Sequence, residues 1–308
     1  MESGSVRKVR CRERCWRGAC GFVSTLAAVC CLGASTRAAE LHLVERERFD
    51  LAYPAFVEPV AVATGPLGQL YVADSGRGTV LRLGPEARIE YEFESPDTQP
   101  GIDPLDLEVT GFQVFVLDAL SKTLLRFTLE GSVLDVLQNF AENSNGFPAA
   151  LSVDGSGRVL VAYPNRHAVH IVDETQEAET IIGGFGTSAG ELSRPIGVAF
   201  APDGSLYVAD AGNHRVQHFD EVGNYASTLA AAVEAPRGVT TGADGLVFVA
   251  DAAGAVHAFT TRLEDGHQHV VLDLPANEPV DLAVHGDTLW VLSRAPHRLL
   301  RVQVLWGE

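Results

Sequence analysis

From residue 40 onward the chain alternates apolar runs of four to seven residues with short breaks that contain Gly, Pro, Asp or Asn. The runs are rich in Val, Leu and Phe. None sustains the 3.6-residue apolar period of an amphipathic helix, so the pattern predicts short β-strands and almost no helix. Residues 194–225 show the unit most clearly. GVAF, PDG and SLYVAD read as strand, turn, strand; RVQHF is a third strand and YASTLA a fourth. Pro-Asp-Gly suits the tight connection, because Pro presets its φ and Gly tolerates positive φ.

The unit recurs. One proline column holds Pro59, Pro104, Pro148, Pro195, Pro236 and Pro279, at intervals of 45, 44, 47, 41 and 43 residues. A second column follows 14 or 15 residues later: Asp74, Asp118, Tyr163, Asp210, Asp251 and Ser293. Two residues before each of these stands valine (Val72, Val116, Val161, Val208, Val249, Val291). The residue before each valine is large and apolar (Tyr71, Phe115, Leu160, Tyr207, Phe248, Trp290).

Six units of four antiparallel strands predict an all-β, six-bladed β-propeller. One blade cannot bury both of its faces, whereas blades stacked around an axis can. Length alone, 308 residues, suggests about two domains, and the repeat overrides that prior. The last unit supplies only three strands before Glu308. The unassigned stretch Leu41 to Phe49 is predicted to add the missing outer strand and latch the ring.

The N-terminal 38 residues have a different character. Residues 1–17 are basic, residues 19–34 are an apolar run short for a membrane span, and Thr36-Arg37-Ala38 offers small residues at the positions a signal peptidase reads. The expected organisation is a signal peptide over 1–38 and a propeller over 39–308, with no membrane insertion after cleavage. All five cysteines lie at or before Cys31, and no Asn-x-Ser/Thr sequon occurs. An exported domain without disulfides or glycosylation sites points to a periplasmic or extracellular protein, and to the periplasm in particular.

Composition, 46% hydrophobic and 20% charged, excludes a disordered chain. The formal charge is −17, although residues 1–39 hold seven Lys/Arg against two acids; the remainder is more acidic still. Such a surface repels phosphate backbones, so no nucleic-acid partner is expected.

The repeat type follows from its residues. Pro-x-Gly-Val, Tyr-Val-Ala-Asp and Ala-Gly-Asn-His-Arg-Val, from Pro195 to Val216, resemble the NHL repeat, and the likeness extends through all six units. The third and sixth depart from it at Tyr163 and Ser293, and the fifth shortens the following loop to AAGAV. The resemblance implies a binding or scaffolding propeller that recognises a protein, peptide or glycan through its loop face. The rival reading is a metal-dependent lyase or lactonase-like hydrolase with its site in the central channel.

Candidate chemistry is sparse: no Ser-His-Asp set, P-loop, Cys-x-x-Cys or His-Glu-x-x-His motif occurs. Asp74, Asp118, Asp210 and Asp251 recur once per blade, as caps of loop N–H groups should. His167, His214 and His297 share one repeat position, and zinc ligation is weighed there against a consensus structural role. These histidines, with Arg194 and Arg237, are the ligand-face candidates. Carboxylates break the repeat near the axis: Glu58, Asp103 and Glu278 precede the proline, and Asp106 and Asp281 follow it by two. These five are predicted to crowd one side of the channel entrance, with Arg194 roughly opposite. Oxygen-only ligands there would favour Ca²⁺ or Mg²⁺ over Zn²⁺; a solvated acidic rim is the other reading.

Overall fold

The computed structural model describes residues 40–307 except 52–54, 85–86, 96–100, 138–145, 174–178, 230–232, 244, 262–268, 275–277 and 295. The predicted signal segment lies outside the described residues. Strands are numbered β1 to β24 in chain order, and they form six four-stranded antiparallel sheets. Blade 4 shows the plan: β14 (Pro195–Phe200), β15 (Leu206–Asp210), β16 (Arg215–Phe219) and β17 (Tyr225–Leu229) run from the axis outward. The turn after β14 closes with Ala201 N–H donating to Ser205 O at 2.8 Å, and Gly204 sits at φ +86°. Described helix is limited to short 3-10 turns such as Pro164–Arg166 and Ala211–Asn213. No helix among the described residues is long and apolar enough to cross a membrane.

The innermost strands are β2 (Pro59–Thr64), β6 (Pro104–Thr110), β10 (Ala150–Val153), β14, β18 (Pro236–Thr241) and β22 (Pro279–His285). Each packs against the next, and β22 meets β2, so the ring is closed. The latch is a full strand: β1 (Glu40–Asp50) pairs antiparallel with β24 (His297–Gly307), from Glu40 opposite Gly307 to Asp50 opposite Arg298. Arg298 Nε–Asp50 Oδ1 at 2.6 Å and Arg301 Nη1–Glu47 Oε2 at 3.1 Å add ion pairs along it.

The two apolar columns fill the seams between blades. Adjacent strand residues point to opposite faces, so each valine faces the preceding blade and its large neighbour faces the following one. Val72 packs with Ala283 and Leu292 of blade 6, while Tyr71 packs with Leu107 and Val116 of blade 2. The same division holds around the ring, giving six core clusters for six seams. All six column valines are inaccessible to solvent. Burying a side chain of this size contributes about 1.5–3 kcal/mol.

Candidate functional site

Each aspartate of the second column is buried and bonded to backbone amides of its own blade. Asp74 accepts from Val57 N–H, Glu58 N–H and Arg77 N–H at 2.8, 2.8 and 3.1 Å. Asp118 accepts from Asp103 N–H at 2.7 Å and from Ser121 N–H and Oγ–H. Asp210 holds Ser193 N–H at 2.6 Å, Asn213 Nδ2 at 2.8 Å and Arg215 Nε at 2.9 Å. These carboxylates fasten the loops at the end where the inner strand starts, here called the proline end. In blade 3, where Tyr163 replaces aspartate, Asn165 Oδ1 accepts the Phe147 N–H at 2.9 Å instead.

The histidine column does not converge on one point. His167 and His214 cap 3-10 turns in the left-handed region, and their Nδ1 atoms accept the Arg194 and Ala235 N–H at 3.1 and 3.2 Å. Each therefore ties one blade to the residue before the next blade's proline. His297 instead opens β24, opposite Arg294. Zinc ligation by this column has no geometric basis: in His167 and His214 the Nδ1 lone pair is already taken by an amide, and the residues stand on separate blades.

The central channel holds a cavity of about 480 Å³ lined by the inner strands, with Asp106, Glu108 and Asp281 on one side and Arg237 and Arg294 among its other lining residues. Asp106 Oδ2 accepts Leu151 N–H of blade 3 at 2.7 Å, and Asp281 Oδ2 accepts Val62 N–H of blade 1 at 2.7 Å. Both sit at a register shift two residues after the proline. A ring closes only if neighbouring inner strands satisfy each other's edges, and here a carboxylate reaches across. Burial raises Asp106 well above the usual carboxylate range, and the charge of Asp281 adds to it. Burial likewise raises Asp281 to about 6 and Glu108 to about 7. Such groups hold or release protons near neutrality.

The five acids expected at one entrance are thus separated. Asp106 and Asp281 face the channel, whereas Glu58 and Glu278 are exposed on the proline-end loops and Asp103 flanks them. Among the described residues, no group of three or more His, Cys, Asp or Glu side chains could hold a metal ion. The physical reason lies in chain direction: the residue before the proline belongs to the loop, and the residue two beyond it belongs to the channel wall. Arg194 is exposed on the rim outside the cavity lining. Arg237 lines the cavity, with Nη1 a loose 3.8 Å from Glu278 Oε2.

Two groups escaped the sequence reading. Glu108 stands four residues after its proline, in a column otherwise Ala63, Ser152, Ala199, Thr240 and Ala283; one acid in a column of small residues was a readable signal. In blade 5, Asp251 Oδ2 meets His257 Nε2 at 2.8 Å, and His257 Nδ1 meets His269 Nε2 at 3.0 Å. Burial, with the neighbouring His257, lowers His269 to about 4. His257 compensates for the shortened AAGAV loop, which lacks the counterparts of Asn213 and Arg215.

The proline end also carries an apolar arc across blades 2 to 4. Leu120, Phe147 and Phe185 are 63%, 67% and 76% exposed. Lys122 Nζ lies 5.2 Å from the Phe147 ring centre, and the His167 ring meets Phe185 edge-on at 4.8 Å. Lys122, Arg166 and Arg194 are exposed along the same arc.

Comparison with known proteins agrees with this architecture. Residues 192–219 match the NHL repeat. The chain is 32% identical over 81 residues to mouse NHL-repeat-containing protein 4; the match covers 26% of this chain and spans about half (55%) of that relative's length. Among solved structures it is similar to virginiamycin B lyase from Staphylococcus aureus with quinupristin (TM-score 0.66, 12% identity, 86% of this chain and 100% of that one). It is also similar to a gluconolactonase from Xanthomonas campestris (TM-score 0.62, 13% identity, 87% and 98%) and to a chain of a nidogen/laminin complex (TM-score 0.58, 15% identity, 82% and 86%). At these identities the structural likeness concerns the fold. The six repeated sheets and the β1–β24 latch make the chain a six-bladed β-propeller, and residues 192–219 of it match an NHL repeat.

Proposed function

We propose that this protein is an exported binding module, carried out of the cytoplasm by residues 1–38, whose proline-end loops recognise a polypeptide. The observation that carries this reading is the arc of Leu120, Phe147 and Phe185, three large apolar side chains left exposed on adjoining blades. Large apolar side chains gathered at one end of a folded domain are where an interaction surface is sought first. One structural neighbour, the nidogen/laminin chain, comes from a protein–protein complex. Glycan remains the other ligand class for an aromatic surface, and the acidic body continues to disfavour nucleic acid. The test is site-specific photo-crosslinking in cells that express the full chain. A cross-linker at Phe185 is expected to yield a recurring polypeptide adduct, while one at Phe112, on a turn at the opposite end, yields none. Equal labelling at both ends overturns the assignment of this face.

A second reading places a hydrolase or lyase in the channel, because Glu108 and Asp281 hold protons near neutrality and two structural neighbours are a lyase and a gluconolactonase. Metal analysis of purified protein separates the two. A stoichiometric Ca²⁺ or Mg²⁺ that disappears in Asp106→Asn/Asp281→Asn favours the enzyme; metal-free protein whose cross-linking is unchanged favours the binding module.

A further inference from the structure

The two phenylalanines of the arc stand on fastened loops, and the exposed cations beside them oppose the charge of the body. Phe185 projects from the loop between β13 (Glu179–Gly183) and β14. That loop is fastened from beneath by blade 4. Arg215 donates to Thr187 O, Ser188 O and Glu191 O at 2.9, 2.8 and 2.7 Å. Asn213 Nδ2 donates to Gly186 O at 2.8 Å, and Gln217 Nε2 donates to Glu191 O at 2.6 Å. Leu192 N–H returns to Gly184 O at 2.9 Å. A loop so pinned cannot fold Phe185 back onto the core, so its exposure is built in. Phe147 is held by the bond from its amide to Asn165, at the other end of the blade 3 loops. Surfaces organised before binding lose less conformational entropy on association.

Among the described residues the exposed cations along the arc are Lys122, Arg166 and Arg194; Glu191, in the Phe185 loop, turns its carboxylate back to the Ser188 N–H at 2.8 Å. Asp118 and Asp210 beneath it are buried and bonded to their own loops, and Asp103 flanks the blade 2 end. A basic strip on a chain of formal charge −17 is a local reversal of sign. Opposite charge on a partner would both steer encounter and set its register.

We propose that the blade 2–4 arc binds an extended acidic peptide segment of a partner protein, whose apolar side chains rest on Phe147 and Phe185 and whose carboxylates meet Lys122 and Arg194. This inference rests on the binding-module reading and adds to it the chemistry of the partner. A second copy of this chain is disfavoured by like-charge repulsion between two acidic bodies.

The test uses the full chain and two fluorescent peptides of about 12 residues, long enough at ~3.3 Å per residue to cross three blades. Both carry the same Phe and Leu positions; one intersperses Glu and Asp, the other Lys. Anisotropy titrations are expected to show binding of the acidic peptide, weaker at high salt. Lys122→Glu/Arg194→Glu should reduce affinity at least about tenfold, a change of ~1.4 kcal/mol. Phe147→Ser/Phe185→Ser should reduce it comparably, with thermal melts of both variants matching the parent. Equal or tighter binding of the lysine peptide, no binding of the acidic one, or no loss in the charge-reversed variant overturns the proposal. Self-association by sedimentation that the same variants abolish also overturns it. In each case the Phe185 cross-linking result stands or falls separately, so a wrong partner chemistry is distinguishable from a wrong face.

Discussion

Where blade 4 meets blade 5, the channel wall is glycine against a carbonyl; where blade 6 meets blade 1, it is a carboxylate against an amide. A Cβ on Gly197 would lie 2.0 Å from Arg237 O, and one on Gly238 would lie 3.0 Å from both Asp281 Cα and Val280 O. At the matching position in blades 2 and 6 stand Asp106 and Asp281, each reaching 2.7 Å to the next blade's amide. The same column therefore joins blades in two ways. Glycine permits direct backbone approach. Aspartate spans a wider gap with a hydrogen bond that is strong, buried and titratable. Two of the six seams thus rest on a group whose charge depends on pH, and at the matching position the other four carry glycine or alanine.

The harshest way to break the comparison is to remove the latch. Deleting residues 40–49 strips Leu41, Leu43 and Phe49 from blade 6 and leaves β24 with an unpaired edge. Three side chains at about 1.5–3 kcal/mol each predict a loss of ~4 kcal/mol or more, read as a lower urea midpoint. An unchanged midpoint would sink the latch assignment. Next in size is Gly197→Ala, for which a backbone carbonyl must move; the expected cost is about 3 kcal/mol. Gly238→Ala should cost less, since its nearest atoms lie farther away. Equal losses at the two glycines would show that the blade 4–5 seam is not the tighter one.

The carboxylate seams are sharpened by pH. Asp281 and Glu108 are held at about 6 and about 7, above their ordinary values, so the folded chain binds these protons more tightly than the unfolded chain does. Their contribution is full below about pH 4 and is lost as pH rises through about 6–7. Stability should fall by about 4 kcal/mol between pH 5 and 8, at ~1.4 kcal/mol per pKa unit summed over the two groups. Asp281→Asn/Glu108→Gln should flatten that slope while keeping an acceptor for Val62 N–H, whereas Gly238→Ala should leave it intact. Thermal melts across this range decide the matter: Asp106 leaves a residual slope, and a slope as steep in the Asn/Gln variant as in the parent would remove Asp281 and Glu108 as its source.

The smallest expected effect has the opposite sign. His269 is depressed to about 4, so its contribution is present above about pH 6.5 and is lost as pH falls toward 4. The residue is partly open to solvent, and screening holds the effect below about 1 kcal/mol. His269→Gln should remove that acid limb in melts between pH 4 and 6.5.

The blade plan was legible in the sequence because it repeats: Tyr71 and Val72 recur at fixed spacing in each blade, and each copy meets the same packing demand. The aspartate column was legible for the same reason, and its amide bonds have the geometry that a recurring cap requires. The candidate site was less so. Asp106 and Asp281 were identified, but three positions in the chain separate a rim residue such as Asp103 from the channel wall, and composition alone merges the two. Glu108 went unread because its column is one of small residues that no strand pattern marks. The His167 and His214 ties depend on a left-handed backbone and an amide one blade away, which no local spacing encodes. The apolar arc was invisible for a related cause, since Phe147 and Phe185 lie 38 residues apart and meet only through the blade 3 loops.

The pairing of Glu40 with Gly307 also imposes an order on folding. β1 is made before any blade, yet its partner β24 is the last strand of the last one. Until then Leu41 and Leu43 have no core to enter, and the ring has an open edge on each side. Contacts this distant along the chain form slowly, because a long loop must close before it is stabilised by what it closes. Closure therefore acts as a completion check: a chain that stops before β24 keeps two unpaired strand edges, open to proteases and to other strands.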